Sequence, residues 1–89
     1  MIEYDPNKNQ LNVKKHGISF EEAAKVFDDP FARILPDILH SQTEERFYII
    51  SDSETHLLFV VFTFRDENIR IISARNVTKK EEQNYRWKG

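Results

Sequence analysis

The sequence predicts an α+β domain with two N-terminal helices, an antiparallel β-sheet meander of about four strands, and a C-terminal helix. Three observations carry that prediction. Asp5-Pro6 and Ser19-Glu22 read as helix starts, and Gly17 and Pro30 as stops, within the first 30 residues. Beyond Pro30 the apolar period changes from helical to strand-like. "HLLFVVFTF" (56–64) is apolar on both faces, as a central strand would be. The chain has 89 residues, enough for one core, so residues 1–89 read as a single domain.

Each element has its own signal. Ile2–Tyr4 reads as a short strand. Asp5 supplies an N-cap acceptor and Pro6 suits the first helical position, so a helix is expected to about Lys15 or His16, with Gly17 as its left-handed stop. Ser19 and Glu22 form a capping box for a second helix, whose buried stripe is expected at Phe20, Ala23, Ala24 and Phe27. Strands follow at "FARIL" (31–35), "RFYIIS" (46–51), 56–64 and "IRIISAR" (69–75), with 36–45 as loop and "RDEN" (65–68) as a tight connection. Thr78 can cap a last helix running to roughly Trp87.

Composition removes several function classes. There is no cysteine, hence no disulfide and no thiolate metal site. The longest apolar run is too short to span a bilayer, and "MIEYDPNK" has no signal-peptide character, so a cytoplasmic protein with no membrane partner is expected. The net charge of −2 is unevenly spread. Residues 20–60 hold three cations against nine anions, whereas the stretch from Arg65 onward holds seven cations against four anions. A positive face on an acidic protein is therefore expected where the N-terminal helix meets the C-terminal third.

Chemistry concentrates at "KKHG" (14–17). A helix end favours one cation by roughly 0.3–1 kcal/mol, which accounts for a histidine before glycine in purely structural terms. It does not account for Lys14, Lys15 and His16 in succession, with Lys8 and Asn12 on the same helical flank. Strict alternation places Ile69, Ile71, Ser73 and Arg75 on one strand face and Arg70, Ile72 and Ala74 on the other. One of the two arginines should then sit over a partly covered surface and need an anion, either Glu45 or a phosphate. Glu45-Arg46 at a strand entrance reads equally as a local ion pair. The three histidines lack metal-ligand spacing, and neither a glycine-rich phosphate loop nor a nucleophile elbow is present, so no metal or other cofactor is expected. What remains is a set of Lys, His, Arg and Glu. That set suits metal-independent cleavage of RNA, whose own 2′-OH is the nucleophile.

"YDPNKNQLNVKKHGISFEEAAKVFDDP", "EERF" and "RIISARNVTKKEEQNY" together resemble the BrnT family of toxins from bacterial type II toxin–antitoxin systems. The resemblance spans nearly the whole chain and implies a small RelE-like fold. It further implies a ribonuclease of the mRNA interferase type that inhibits translation and is neutralised by a BrnA-type antitoxin, with DNA contacted only through that antitoxin. On this reading Lys15 and Arg75 hold the scissile phosphate, His16 carries the proton, and Glu45 acts as base or positions Arg46. Lys8, Arg65 and Arg70 are candidates for RNA-backbone contacts. The alternative is a non-catalytic module that only binds a partner protein or nucleic acid, with "YRWKG" (85–89) as a docking segment.

Overall fold

The computed structural model describes residues 1–40, 42 and 44–86. Its elements are β1 (Ile2–Glu3), α1 (Pro6–His16), α2 (Phe20–Ala23) continuing as a 3₁₀ segment (Ala24–Asp28), β2 (Arg33–Pro36), a 3₁₀ turn (Ile38–His40), β3 (Phe47–Asp52), β4 (Leu57–Arg65), β5 (Asn68–Asn76) and α3 (Lys79–Arg86). The expected loop at 36–45 and the last helix lie partly outside the described residues, as do the last three residues of the expected docking tail.

The five strands form one sheet in the order β1-β5-β4-β3-β2. From β2 to β5 it is the expected antiparallel meander. The correction is at the edge, where β1 adds a fifth strand parallel to β5 and makes the sheet mixed. The connection that this parallel pair requires is long: the chain runs through α1, α2 and the strands β2 to β4 before it returns beside β1 as β5. In the β4–β5 turn, Asp66 and Glu67 both take positive φ, at 52° and 70°, which gives a two-residue hairpin its twist.

The helix ends follow the local chemistry. Asn7 N–H donates to the Asp5 carboxylate at 2.8 Å, and Gly17 sits at φ 73° with its N–H on Val13 O. Ser19 accepts from Glu22 N–H at 3.0 Å, but the Glu22 carboxylate is spent elsewhere, so the expected capping box is only half made. The second helix also differs from expectation. After one α-turn it tightens to 3₁₀, so its inward positions repeat every three residues. Phe20, Ala23 and Val26 are therefore fully buried, whereas Ala24 and Phe27 are only partly so.

The core lies on one side of the sheet. Ile49, Leu58, Val60, Phe62, Ile71 and Ala74 pack beneath Ile18, Phe20, Ala23 and Val26. Asn12 is the one polar residue of α1 inside it: its Nδ2 donates to Ile18 O and Ala74 O, each at 2.8 Å, and its Oδ1 accepts from Ala74 N–H at 3.1 Å. Its side-chain amide thus bonds both main-chain groups of Ala74 as a neighbouring strand would, and it caps β5 beyond the end of β1. The opposite face of the sheet carries the site.

Candidate functional site

A β-bulge sets out the second face. Val61 pairs with Ser73 and Phe62 with Ile71, so Ile72 is an extra residue in β5. The alternation along β5 reverses there. Arg70 pairs with Thr63 and Arg75 with Phe59, and positions 59, 61 and 63 of β4 share one face. The two arginines therefore lie on the same face, not on opposite ones, because the bulge absorbs one residue between them. Ile71 and Ala74, three apart, are both buried for the same reason.

Two adjoining depressions open on this side. One, of about 340 Å³, is lined by Arg46, Tyr48, Phe59, Ser73, Arg75 and neighbours that include Ile72. The other, of about 290 Å³, is lined by Lys8, Leu11, Asn12, Lys15, His16, Ile72 and Ser73. Ile72 and Ser73 belong to both, so the end of α1 on one side and Arg46 and Arg75 on the other border one groove. The polar flank of α1 reaches it because Asn12, on that flank, is fastened to Ala74 of β5.

The expected site residues separate into two groups. Lys8, Lys15, His16, Arg46 and Arg75 line the groove. Glu45, Arg65 and Arg70 line neither depression. The Glu45 carbonyl accepts from Thr63 Oγ1, Arg70 donates to Glu3 at 2.7 Å, and Arg65 lies 3.8 Å from Glu44.

The carboxylate that pairs with Arg75 is Glu81, not Glu45. The two Nη groups of Arg75 bond the two carboxylate oxygens of Glu81, each at 2.9 Å, and its guanidinium lies 4.1 Å from the centroid of Phe59. The hydrogen bonds from Arg75 hold the Glu81 carboxyl below its ordinary pKa against the opposing effect of burial. Phe59 in turn stacks on Tyr48, with centroids 4.7 Å apart and planes 21° from parallel. Glu81 also closes a complete capping box, since Thr78 N–H donates to its carboxylate and its own N–H donates to Thr78 Oγ1. Thr78 and Glu81 carry that box at the usual spacing in the sequence, so Glu81 was recognisable as a cap but not as the arginine's partner.

Helix α3 buries none of its residues and is held by polar contacts. Tyr85 donates to Asp29 at 2.5 Å, and the same carboxylate accepts from Ser51, Phe31 N–H and Asp52 N–H. Burial acts to raise the Asp29 pKa, but these donors outweigh it and hold the value at about 2. Burial and the facing carboxylate push the Tyr85 phenol up to about 12.

A further cluster joins α2 to the β3–β4 turn. There Glu22 accepts from Ser53 and Thr55, at 2.8 and 2.9 Å, and lies 2.5 Å from His56 Nδ1. Ser53 Oγ donates to the Glu22 carboxylate and not to the imidazole, so the serine–histidine pair of a nucleophilic triad is not made. Among the described residues no group of three or more His, Asp or Glu is disposed to hold a metal.

The model of the family described as "Ribonuclease toxin, BrnT, of type II toxin-antitoxin system" matches residues 4–81. The chain belongs to the BrnT family. It is accordingly the toxin of a type II toxin–antitoxin system, with a ribonuclease role and an antitoxin as partner. None of the curated proteins matches it significantly. The matched span takes in both α1 and β5, and therefore both walls of the groove. No helix among the described residues is long and apolar enough to cross a membrane.

Proposed function

We propose that this BrnT-family chain is a metal-independent endoribonuclease of the mRNA interferase type, which inhibits translation in the cytoplasm and is neutralised by a BrnA-type antitoxin. The observation that carries the reading is the groove, where lysines and a histidine face arginines across Ile72 and Ser73. The antiparallel meander between helices is consistent with a RelE-like ancestry.

In this reading the RNA 2′-oxygen attacks the adjacent phosphorus as the bond to the 5′-oxygen breaks, leaving a 2′,3′-cyclic phosphate. His16 takes or returns the proton, since an imidazole at the groove can act as base or as acid. Lys15 and Arg75 stabilise the charge that builds on the phosphate oxygens, with Arg46 beside them and Lys8 on the flanking backbone. Glu45, exposed and outside the groove, is retained only as a residue that orders the chain next to Arg46. Arg65 and Arg70 act on RNA at most through their field, because each already faces a carboxylate.

The non-catalytic alternative has one observation in its favour. The edge strand β2 and its neighbours expose Phe31, Ile34, Leu35, Ile38 and Leu39, a surface suited to a protein partner. That surface is equally what a toxin needs for its antitoxin. Induced expression should arrest bacterial growth, and purified protein should cleave RNA in EDTA with cyclic-phosphate ends. Normal growth with soluble, folded protein and no cleavage would favour the alternative, and rescue of activity by a divalent ion would overturn the metal-free mechanism.

A further inference from the structure

The groove has more definition than a set of charges. The strand register sets Tyr48, Val61 and Ser73 in one row across β3, β4 and β5, directly paired in turn. With strands spaced about 4.7–4.9 Å apart, the row carries Tyr48 and Ser73 about 9–10 Å from each other. That is the reach of one nucleotide from its phosphate to its base. Each depression, at about 340 and 290 Å³, is at the small end of the roughly 300–1,000 Å³ of small-molecule sites. Each is thus the size of one nucleotide, not of a folded RNA element.

Ile72 and Ser73 form the saddle between the two depressions. The bulge puts them there: without the extra residue, Ser73 would not share a face with Arg70. Ser73 is half-buried, and its hydroxyl makes no hydrogen bond among the described residues. A neutral donor at such a point can serve a phosphate oxygen without the desolvation cost of a further charge. Tyr48, stacked on Phe59 which is itself capped by Arg75, presents a rigid aromatic wall. Unpaired RNA bases are bound on such walls, and paired ones are not available to them.

We propose that the groove binds two successive nucleotides of single-stranded RNA, with the scissile phosphate on the Ser73 hydroxyl at the saddle and the base on the arginine side against Tyr48. Ser73 is then a catalytic residue by contact with a non-bridging phosphate oxygen, and Tyr48 is a binding residue. The inference rests on the ribonuclease reading and adds the polarity of the site and the single-strand requirement.

The test uses the full chain and two readouts. Binding is measured by fluorescence anisotropy on a labelled 2′-O-methyl oligonucleotide, which has no free 2′-OH and is not cleaved, and turnover is measured on the matching RNA. Tyr48→Leu removes the aromatic face and keeps apolar bulk. It should weaken probe binding about 5- to 150-fold, the loss typical of one stacked base, and raise KM with kcat retained. Tyr48→Phe should restore both. Ser73→Ala should lower kcat at least tenfold and leave probe affinity nearly unchanged. A complementary strand that converts the probe to duplex should abolish binding. If the parent protein cleaves RNA while Tyr48→Leu and Ser73→Ala behave like it, or if duplex binds equally well, the proposal is overturned and the ribonuclease reading stands. If the parent binds the probe in a Tyr48-dependent way but does not cleave RNA, the groove is confirmed as a single-strand site and the ribonuclease reading fails.

Discussion

Replacing Asn12 by alanine tests whether one buried amide fixes the groove. Asn12 is 7 % exposed and makes three hydrogen bonds to main-chain groups, two of them to Ala74. Alanine leaves two carbonyls and one amide N–H unsatisfied in the joint between α1 and β5. A buried group left without a partner costs about 1–3 kcal/mol, and water entering the vacated space recovers part of that. The expected loss is about 3–5 kcal/mol. For 89 residues the whole stability is roughly 4–13 kcal/mol, so the variant should lie near the edge of folding. In a domain of this size each kcal/mol moves Tm by about 4–8 °C, so a drop of roughly 12–40 °C is expected by calorimetry. Urea titration should show a lower midpoint with an unchanged slope, because the surface exposed on unfolding is the same. A loss below about 1 kcal/mol would refute the reasoning. It would mean that α1 and β5 are held by apolar contact alone and that the Lys15–His16 end is placed by something other than Asn12.

Asp29 and Tyr85 should limit stability at both ends of the pH range. Asp29 is held near 2 against an ordinary value near 4, so its contribution is present above about pH 4 and lost as pH falls toward 2; for a half-exposed group this is about 1 kcal/mol after screening. Tyr85, raised to about 12, contributes below about pH 10 and loses that contribution as pH rises through 12. Urea midpoints against pH should therefore flatten at both ends in Asp29→Asn; unchanged acid and alkaline limbs would sink this account. His16→Gln should lower RNA cleavage about 10²–10⁴-fold with little change in Tm, since His16 has no hydrogen-bonded partner among the described residues, whereas full activity in the stable variant would remove it from the mechanism. Arg75→Gln should lose cleavage and also about 1–2 kcal/mol, because it breaks the pair with Glu81 and leaves Phe59 uncovered; Lys79→Gln, at the exposed start of α3, should change neither quantity.

Local features of the fold were legible where a single residue type has one dominant use. Asp5-Pro6, Ser19, Gly17 and Thr78 marked helix ends because caps are short-range chemistry. The central place of 56–64 followed from its apolar residues on both faces, and β4 is indeed the middle strand. The short first strand was legible, but its parallel pairing with β5 was not, because two residues of β1 give no sign of the partner they join. Nor was the bulge at Ile72. Alternation is a rule about regular strands, and an isoleucine in an apolar strand gives no sign that the partner strand lacks a matching residue. The cost of missing it fell on the site, since it moved Arg70 to the face of Arg75 and put Ser73 between the depressions.

The charge reading located the positive side of the molecule but not which of its cations are already paired. The C-terminal third is basic in sequence, yet its arginines are largely spent within the molecule: Arg65 faces Glu44, Arg70 is paired with Glu3, Arg75 with Glu81, and Arg86 with Glu82. Two of those four carboxylates, Glu3 and Glu44, lie outside the stretch, so summing charge within it could not reveal their share of the cancellation. Among the described residues Lys8 and Lys15, next to His16, have no carboxylate partner and line the α1 end of the groove. A chain with net charge −2 can therefore still offer an anion a concentrated positive site. The same bookkeeping gives Arg75 a distinct role. Its charge is already half-satisfied by Glu81 and its plane is fixed on Phe59, so a phosphate arriving at Ser73 meets an arginine that is oriented in advance but electrostatically restrained. On the proposed function, the attraction that draws RNA in comes from α1, and the arginine supplies geometry once the phosphate is there. On that division of labour, raising the salt concentration should weaken RNA binding chiefly through the lysines, and a Lys8→Gln, Lys15→Gln double variant should flatten the salt dependence by a slope of about 1–2 in log Kd against log salt. A slope unchanged in that variant would place the attracting charge elsewhere and return Arg75 to the leading part.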